Sequence, residues 1–500
     1  MDARLLVRIP LVFGCAAFLG LAAPRQIPTT WDDAELSTLE VPLADAAHSP
    51  IHVSSRIYYQ LPVRPVFKSY PIYAPDKEPP GYIEWLRRQE PEIVFDAATL
   101  NTDADWIRAG ELVFDAPVRY APLASRLVQD PDIYSTIVMP VTPEGVMPFQ
   151  RYVIRKKGEV EVGDASCGQC HTRVLPGGAV VKGAQSNYPG PQVTALRMRR
   201  RAAQAGDQGA SVLAVNRLAQ KLNFGAPWIV PDPAGDFLGS LDEQIGSWQA
   251  MPPGVLPREG ASRRFPPQVP DLIGVKDRHY LDHTGLVRQR SIADLMRYAA
   301  LNQDAQFLSR YGDFTPNDFR GPATPVANSR YSDEQLYALA LYIYSLQPPP
   351  NPNQLDASAE RGRRVFEREG CATCHTPPLY TNNKLTPVDG FVVPPDHSTK
   401  YDVLPISVGT DPGLSLRTRR GTGYYKVPSL KGVWYRGPFE HNGSVATLED
   451  WFDPHRLRDD YVPTGFKGYG VETRAVKGHP FGLGLSPDDC KALIAFLKTL

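Results

Sequence analysis

A mainly α fold built from two related halves is what this 500-residue sequence predicts, and three observations carry the prediction. One is a five-residue pattern that occurs twice, at Cys167-Gly168-Gln169-Cys170-His171 and at Cys371-Ala372-Thr373-Cys374-His375. Another is that the surroundings of the pattern also recur in order. Arg108 to Phe114 resembles Arg361 to Phe366, and Pro270 to Val275 resembles Pro428 to Val433. The register continues, with Arg278 against Arg436, His283 against His441 and Gly285 against Gly443. Lastly, each half closes on a predicted helix, Ser332 to Leu346 and Ser486 to Leu500, aligned without a gap. Both begin with a Ser at the N-cap and acidic first-turn residues, followed by an apolar helical run.

The repeated pattern has a chemical meaning. C-x-x-C-H is the attachment signature of c-type haem. Residues three apart on a helical turn are neighbours, so both thiols reach the vinyl groups of one porphyrin edge while the next residue points at the iron. Cys167, Cys170, Cys371 and Cys374 are therefore expected to carry two covalent haems, with His171 and His375 as proximal iron ligands. A thioredoxin-like dithiol would want a βαβ context and has no need of the His. A structural zinc site would want a closed set of four ligands, which pooling the two copies could supply. Each copy sits in its own repeat, which favours haem. Opening helix, haem motif, loop and closing helix are the parts of a class I cytochrome c domain, so two such domains in tandem are expected.

Taken in order, residues 1–23 read as a secretory signal, with Arg4 and Arg8 ahead of the apolar run Ile9 to Ala23. That run is too short for an ordinary membrane span. A periplasmic or secreted protein is expected, with membrane attachment only if the signal is retained. Residues 24–104 are rich in Pro and Tyr with weak periodicity, and predict an irregular arm wrapping the first domain. The first domain spans 105–346. Its repeat is interrupted between Phe114 and Cys167 by an insertion that reads as β-rich over about 118–165. Within it Tyr134 to Val141 and Arg151 to Arg155 are expected strands, and Thr142 to Gly145 a turn. Residues 347–356, with Pro348, Pro349, Pro350 and Pro352, form a linker. The second domain spans 357–500. Cys15 lies in the signal and Cys490 is left alone, aligned with Leu336, which reads as a buried apolar thiol. Zero net charge gives no reason to expect nucleic acid or an anionic membrane as partner.

Tyr425 to Val433, then Arg436 to Asp450, and the closing Ala492 to Leu500 resemble the di-haem cytochrome c peroxidase superfamily, which includes the methylamine-utilisation di-haem enzyme and the secreted rubber oxygenases. The resemblance covers about 265–300 and 357–500 and fades before 160. The long interval between the two motifs leans toward the rubber-oxygenase branch. In this family the second haem's distal ligand follows the segment matching Ala446-Thr447-Leu448-Glu449. An ungapped count puts His455 there, giving a His375/His455 iron. The same count in the first half reaches Ala299, which cannot ligate, with Met296 and Tyr298 in reach if the register slips. The resemblance thus implies a first haem that activates peroxide or dioxygen and a second that relays or stores electrons. Ordinary members also place a His soon after the first motif, but none occurs here between His171 and His279.

Arg278, His279 and His283 are candidates for chemistry at the distal face, which needs a proton donor or acceptor. The recurrence of two of them in the second half favours a structural role such as pairing with propionates. Trp228 and Trp248 are candidates to bridge the haems, against the commoner role of core filler. The family further implies a small electron-donor protein or an organic substrate as partner, and allows a calcium ion. The alternative is a non-catalytic di-haem electron carrier with both irons six-coordinate.

Overall fold

The computed structural model describes residues 25–125, 127–205, 209–319 and 327–500. The expected signal, with Cys15, lies outside them. Two helix pairs dominate. In the first half α1 (Asp103–Asp115) packs along α6 (Asp333–Ser345); in the second α7 (Ala357–Arg368) packs along α8 (Pro487–Lys498). Capping fixes where these helices begin. Thr102 and Asp105 form a reciprocal box at α1, as do Ser332 and Gln335 at α6, and Ser486 caps α8. Both crossings use the same device. A Cβ added at Gly110 would collide with the Ala338 carbonyl, and one at Gly362 with the Ala492 carbonyl. Glycine lets each pair of backbones touch, and the touching point sets the crossing in both halves.

Three further helices, α2 (Gly190–Ala205), α3 (Gly209–Phe224) and α4 (Leu241–Gln249), fill the interval between the first motif and Pro270, which the repeat left unassigned. The helix α5 (Ile292–Asn302) packs on α6 and supplies Leu295 and Met296 to the main core. That core takes Val113 and Phe114 from α1, and Leu336 and Leu339 from α6. It also takes Trp31, Leu36, Leu39, Tyr58 and Val66 from the N-terminal region. Trp31 is wholly buried, stacks on Tyr58 at 4.2 Å and donates its indole N–H to the Val53 carbonyl at 2.8 Å. The N-terminal residues therefore complete the first core rather than merely wrapping it.

One four-stranded antiparallel sheet, ordered β1-β3-β4-β2, stands beside this core. Its strands are β1 (Ser69–Tyr73), β2 (Arg119–Pro122), β3 (Val146–Lys156) and β4 (Glu159–Asp164). Three strands fall within the expected insertion and the fourth comes from the N-terminal region. The strand expected at Tyr134 to Val141 does not form. Pro131–Ser135 is a helical turn instead, because Asp130 caps it and Pro131 sits in its first turn, where a missing N–H costs nothing. The linker is tied down by Asn351, whose side chain donates to the Lys498 carbonyl at 2.9 Å. Among the described residues no helix is long and apolar enough to cross a membrane.

Candidate haem sites

The second C-x-x-C-H lies one turn past its opening helix, and the first packs back against its opening helix after the inserted strands. Cys167–Cys170 is a helical turn capped by Ser166, with Gly168 against Phe114 and Asp115. Cys371–Thr373 is a tighter turn entered through left-handed Gly370. The His171 Nδ1 lies 3.0 Å from the Pro270 carbonyl oxygen, and the His375 Nδ1 lies 3.2 Å from the carbonyls of both Pro428 and Tyr380. A carbonyl only accepts, so Nδ1 carries the proton and Nε2 keeps its lone pair. Burial pushes the His171 imidazole down to about 4 and also lowers His375. Both rings are thus held neutral, the form that binds iron.

The two repeated arginines do matching work. Arg278 donates to the carbonyls of Asp271 (2.6 Å) and Ile273 (2.9 Å), and Arg436 to those of Ser429 (2.9 Å) and Lys431 (3.0 Å). Each clamps the turn whose proline carbonyl orients its histidine.

A cavity of about 480 Å³ opens over the second motif, within the roughly 300–1,000 Å³ range of cofactor sites. Cys371, Cys374 and His375 line it, with Phe366, Leu430 and Leu497 among its apolar walls. The residue that faces His375 inside it is His479, with ring centroids 6.1 Å apart. His479 is held neutral by burial, which takes its imidazole down to about 4, and its Nδ1 is buried without a partner. Its φ is +48°, a left-handed conformation that non-glycine residues seldom adopt. Arg456, wholly buried, imposes it. The guanidinium donates to the carbonyls of Val476 (2.8 Å), Gly478 (2.9 Å), His479 (2.8 Å) and Trp451 (2.8 Å). The His479 N–H bonds the Val408 carbonyl at 2.7 Å, and Trp451 and Phe481 stand edge-on to the ring at 5.3 Å.

Lys426, Arg278 and Arg436 also line this cavity. Burial and the nearby Arg278 lower the Lys426 ammonium to about 7, and the buried Arg436 Nε makes no hydrogen bond, its nearest anion being the Asp271 carboxylate at 3.8 Å. Cations crowded in this way suit an anionic group such as a pair of propionates. Free thiols, a neutral imidazole, apolar walls and a cationic end together fit a c-type haem.

His455 does not line this cavity. Its side chain is 69 % exposed and its Nδ1 bonds the adjacent Asp453 carboxylate at 2.8 Å. The chain turns at Pro454–Leu457 and runs a long excursion before reaching the cavity at His479. The signal that was available is Gly478-His479-Pro480, a histidine between two turn-forming residues just ahead of the closing helix.

Around the first motif, the Gln303 side-chain N–H lies 3.9 Å from the Cys167 sulfur. Met296 is wholly buried in the core and Ala299 packs against it. The Tyr298 hydroxyl donates to Asp282 at 3.2 Å and accepts from Arg258 at 3.0 Å. Asp282 forms a buried ion pair with Arg420, which with Arg258 holds its carboxyl well below the usual range despite burial. His283 lies 2.8 Å from the Gln268 carbonyl and, with Arg278, lines the second cavity, which both halves therefore build. His279 is 60 % exposed, pairs with Asp402 at 3.2 Å and approaches neither motif. Trp228 stacks on His48 at 4.5 Å within the first core, and Trp248 packs beside Ile245; neither lines the second cavity. Cys490 packs against the second core, where burial pushes its thiol up. Among the described residues no group of three or more His, Cys, Asp or Glu suits a metal ion such as calcium.

Residues 423–462 match the RoxA-like, cytochrome c-like family. Over 172 residues the chain is 28 % identical to cytochrome-c peroxidase IdrP1 of Pseudomonas sp. (strain SCT), covering 30 % of this chain and 45 % of that protein. Over 167 residues it is 29 % identical to cytochrome-c peroxidase IdrP1 of Denitromonas iodatirespirans, covering 29 % and 41 %. The matches thus span less than half the length of these relatives. Among solved structures, a MauG-like protein associated with microbial copper homeostasis aligns at 18 % identity and a TM-score of 0.28, over 47 % of this chain and 75 % of that one.

Proposed function

This chain belongs to the di-haem cytochrome c peroxidase superfamily, and on that premise we propose that it is an exported two-haem oxidoreductase that reduces peroxide at the first haem with electrons passed through the second. Bound at the two motifs, the haems would supply iron that exchanges single electrons and binds a peroxide where a coordination position is open. The other tasks fall to the chain. His171 and His375, each oriented by a proline carbonyl, would hold the irons. His479, facing His375, would hold the second iron as well, and a site so filled would serve as a relay. Lys426 and Arg436 hold propionate charge, and Arg278 and His283 carry the first half up to the second cavity.

One observation carries the asymmetry. His479 lies in the stretch that precedes the closing helix of the second half. The corresponding stretch of the first half, Gln303 to Ser332, contains no His, Met, Cys or Lys. Its two tyrosines, Tyr311 and Tyr331, are buried in the first core, so the first iron would be left open to peroxide. The electrons come from a small donor protein, a cytochrome or a cupredoxin. Peroxide-dependent oxidation of a reduced small cytochrome c, with cyanide binding to one of the two ferric haems, is the expected result. Two low-spin haems that ignore cyanide would make the protein an electron carrier. Oxygen uptake with cleavage of a polyisoprene would make it an oxygenase.

A further inference from the structure

A small polar pocket lies where the N-terminal region, α5 and Arg419-Arg420 meet. It is lined by Glu40 and His52 from the N-terminal region, Tyr298 and Asn302 from α5, and Gln306, Tyr311, Arg419 and Arg420. Its volume of about 10 Å³ is close to the roughly 10–15 Å³ that one water needs. Glu40 is pinned there by its backbone, which bridges Val287, while Val41 and Arg288 bond on either side of it. Its side chain is 12 % exposed, and Oε2 is buried with no partner. Oε1 lies 3.8 Å from the His52 Nε2, and the His52 Nδ1 bonds the Ser309 hydroxyl at 2.8 Å. Polar contacts lead from the pocket to Arg258, whose charge is felt at the first motif. Arg420 reaches Asp282, Gln306 (3.2 Å) and Tyr298 (3.4 Å). Tyr298 accepts from Arg258, which also bonds Asn302 and whose charge acts on His171 and Cys170.

An orphaned carboxyl oxygen beside a neutral imidazole, in a space of one water, is an arrangement for holding and releasing a proton. We propose that Glu40, backed by His52, is the proton-relay carboxyl of the first haem site, delivered to it by the N-terminal region. The inference rests on the peroxide-reducing reading above. Converting one peroxide to two waters takes two electrons and two protons. The donor protein supplies the electrons, and Glu40 gives up a proton from its carboxyl and regains one from solvent through His52. The groups facing Glu40 agree with this role. Burial, reinforced by Asp282 and opposed by Arg420, lifts its carboxyl to about 7, and burial lowers His52 to about 4. At neutral pH the acid is poised and its neighbour is uncharged.

The test uses the haem-loaded protein and Glu40→Gln. In the wild type an infrared pH titration should show a carboxylic-acid carbonyl band that disappears with a midpoint near 7; Glu40→Gln should lack it. Because the folded carboxyl binds its proton more tightly than the unfolded chain does, its contribution to stability is complete below the ordinary Glu range and is lost as pH rises through about 7. Glu40→Gln should flatten that part of the stability profile. Peroxide turnover should fall about 10²-fold or more and lose its inflection near neutral pH, and Glu40→Asp should recover part of both. Should Glu40→Gln fail to mature, His52→Gln, which leaves the carboxyl in place, should keep the band but slow turnover. A band and a pH inflection that survive Glu40→Gln would overturn the proposal, as would full turnover in His52→Gln. If both ferric haems ignore cyanide, the peroxide reading falls, while the infrared band still reports whether Glu40 exchanges its proton.

Discussion

His479 rests in a left-handed conformation that costs of order 1–3 kcal/mol for a non-glycine residue. The four carbonyl bonds from Arg456 offset that cost, and so the site depends on an arginine that does not line the cavity. Arg456→Met would leave those carbonyls buried without donors, at about 1–3 kcal/mol each where water cannot reach. The expected outcome is a destabilised protein in which the second haem's low-spin ferric signal is partly lost, measured by denaturant titration and optical spectroscopy. Arg456→Lys should recover some of the signal. His479→Gly should convert that haem to a high-spin or ligand-binding form, with added imidazole restoring the low-spin spectrum. His455→Gly should leave the spectrum unchanged and shift stability by no more than about 0.5 kcal/mol, as expected for an exposed side chain.

At the scale of elements, the matched crossings at Gly110 and Gly362 set how far each opening helix stands from its closing helix, and so where each motif emerges. Gly362→Val would drive a branched side chain into the Ala492 carbonyl. It should cost at least about 1–3 kcal/mol by overpacking and lower the melting temperature, with loss of haem retention in the second half only. These elements were the legible part of the chain. Caps at Ser332 and Ser486, apolar periodicity and the C-x-x-C-H spacing are local signals, and local physics decides them. The errors came where non-local packing decides. Tyr134 to Val141 has strand-forming residues, yet Asp130 and Pro131 start a helix there. An ungapped count reaches His455, which is exposed, whereas the histidine that shares the cavity with His375 is His479, beyond an irregular excursion that no count can cross. Glu40 was invisible because its importance comes from a bridge to Val287, far along the chain.

Across the whole molecule, the two halves interlock. Arg278 and His283 of the first half line the second cavity, and Arg419 and Arg420 of the second half line the pocket that holds Glu40. The N-terminal region is equally built in, with Trp31 at the centre of the first core. Trp31→Ala should cost about 3–5 kcal/mol, measured by chemical denaturation, and should disturb the first haem's spectrum more than the second's. The proposed electron passage between the sites is thus a property of the assembled chain.

Electron paramagnetic resonance of the fully ferric, two-haem protein tests the central claim most directly. One high-spin centre that cyanide converts to low spin, beside one low-spin centre that cyanide leaves alone and His479→Gly abolishes, is the predicted result. Two low-spin centres indifferent to cyanide, or a low-spin signal that survives His479→Gly unchanged, would contradict it.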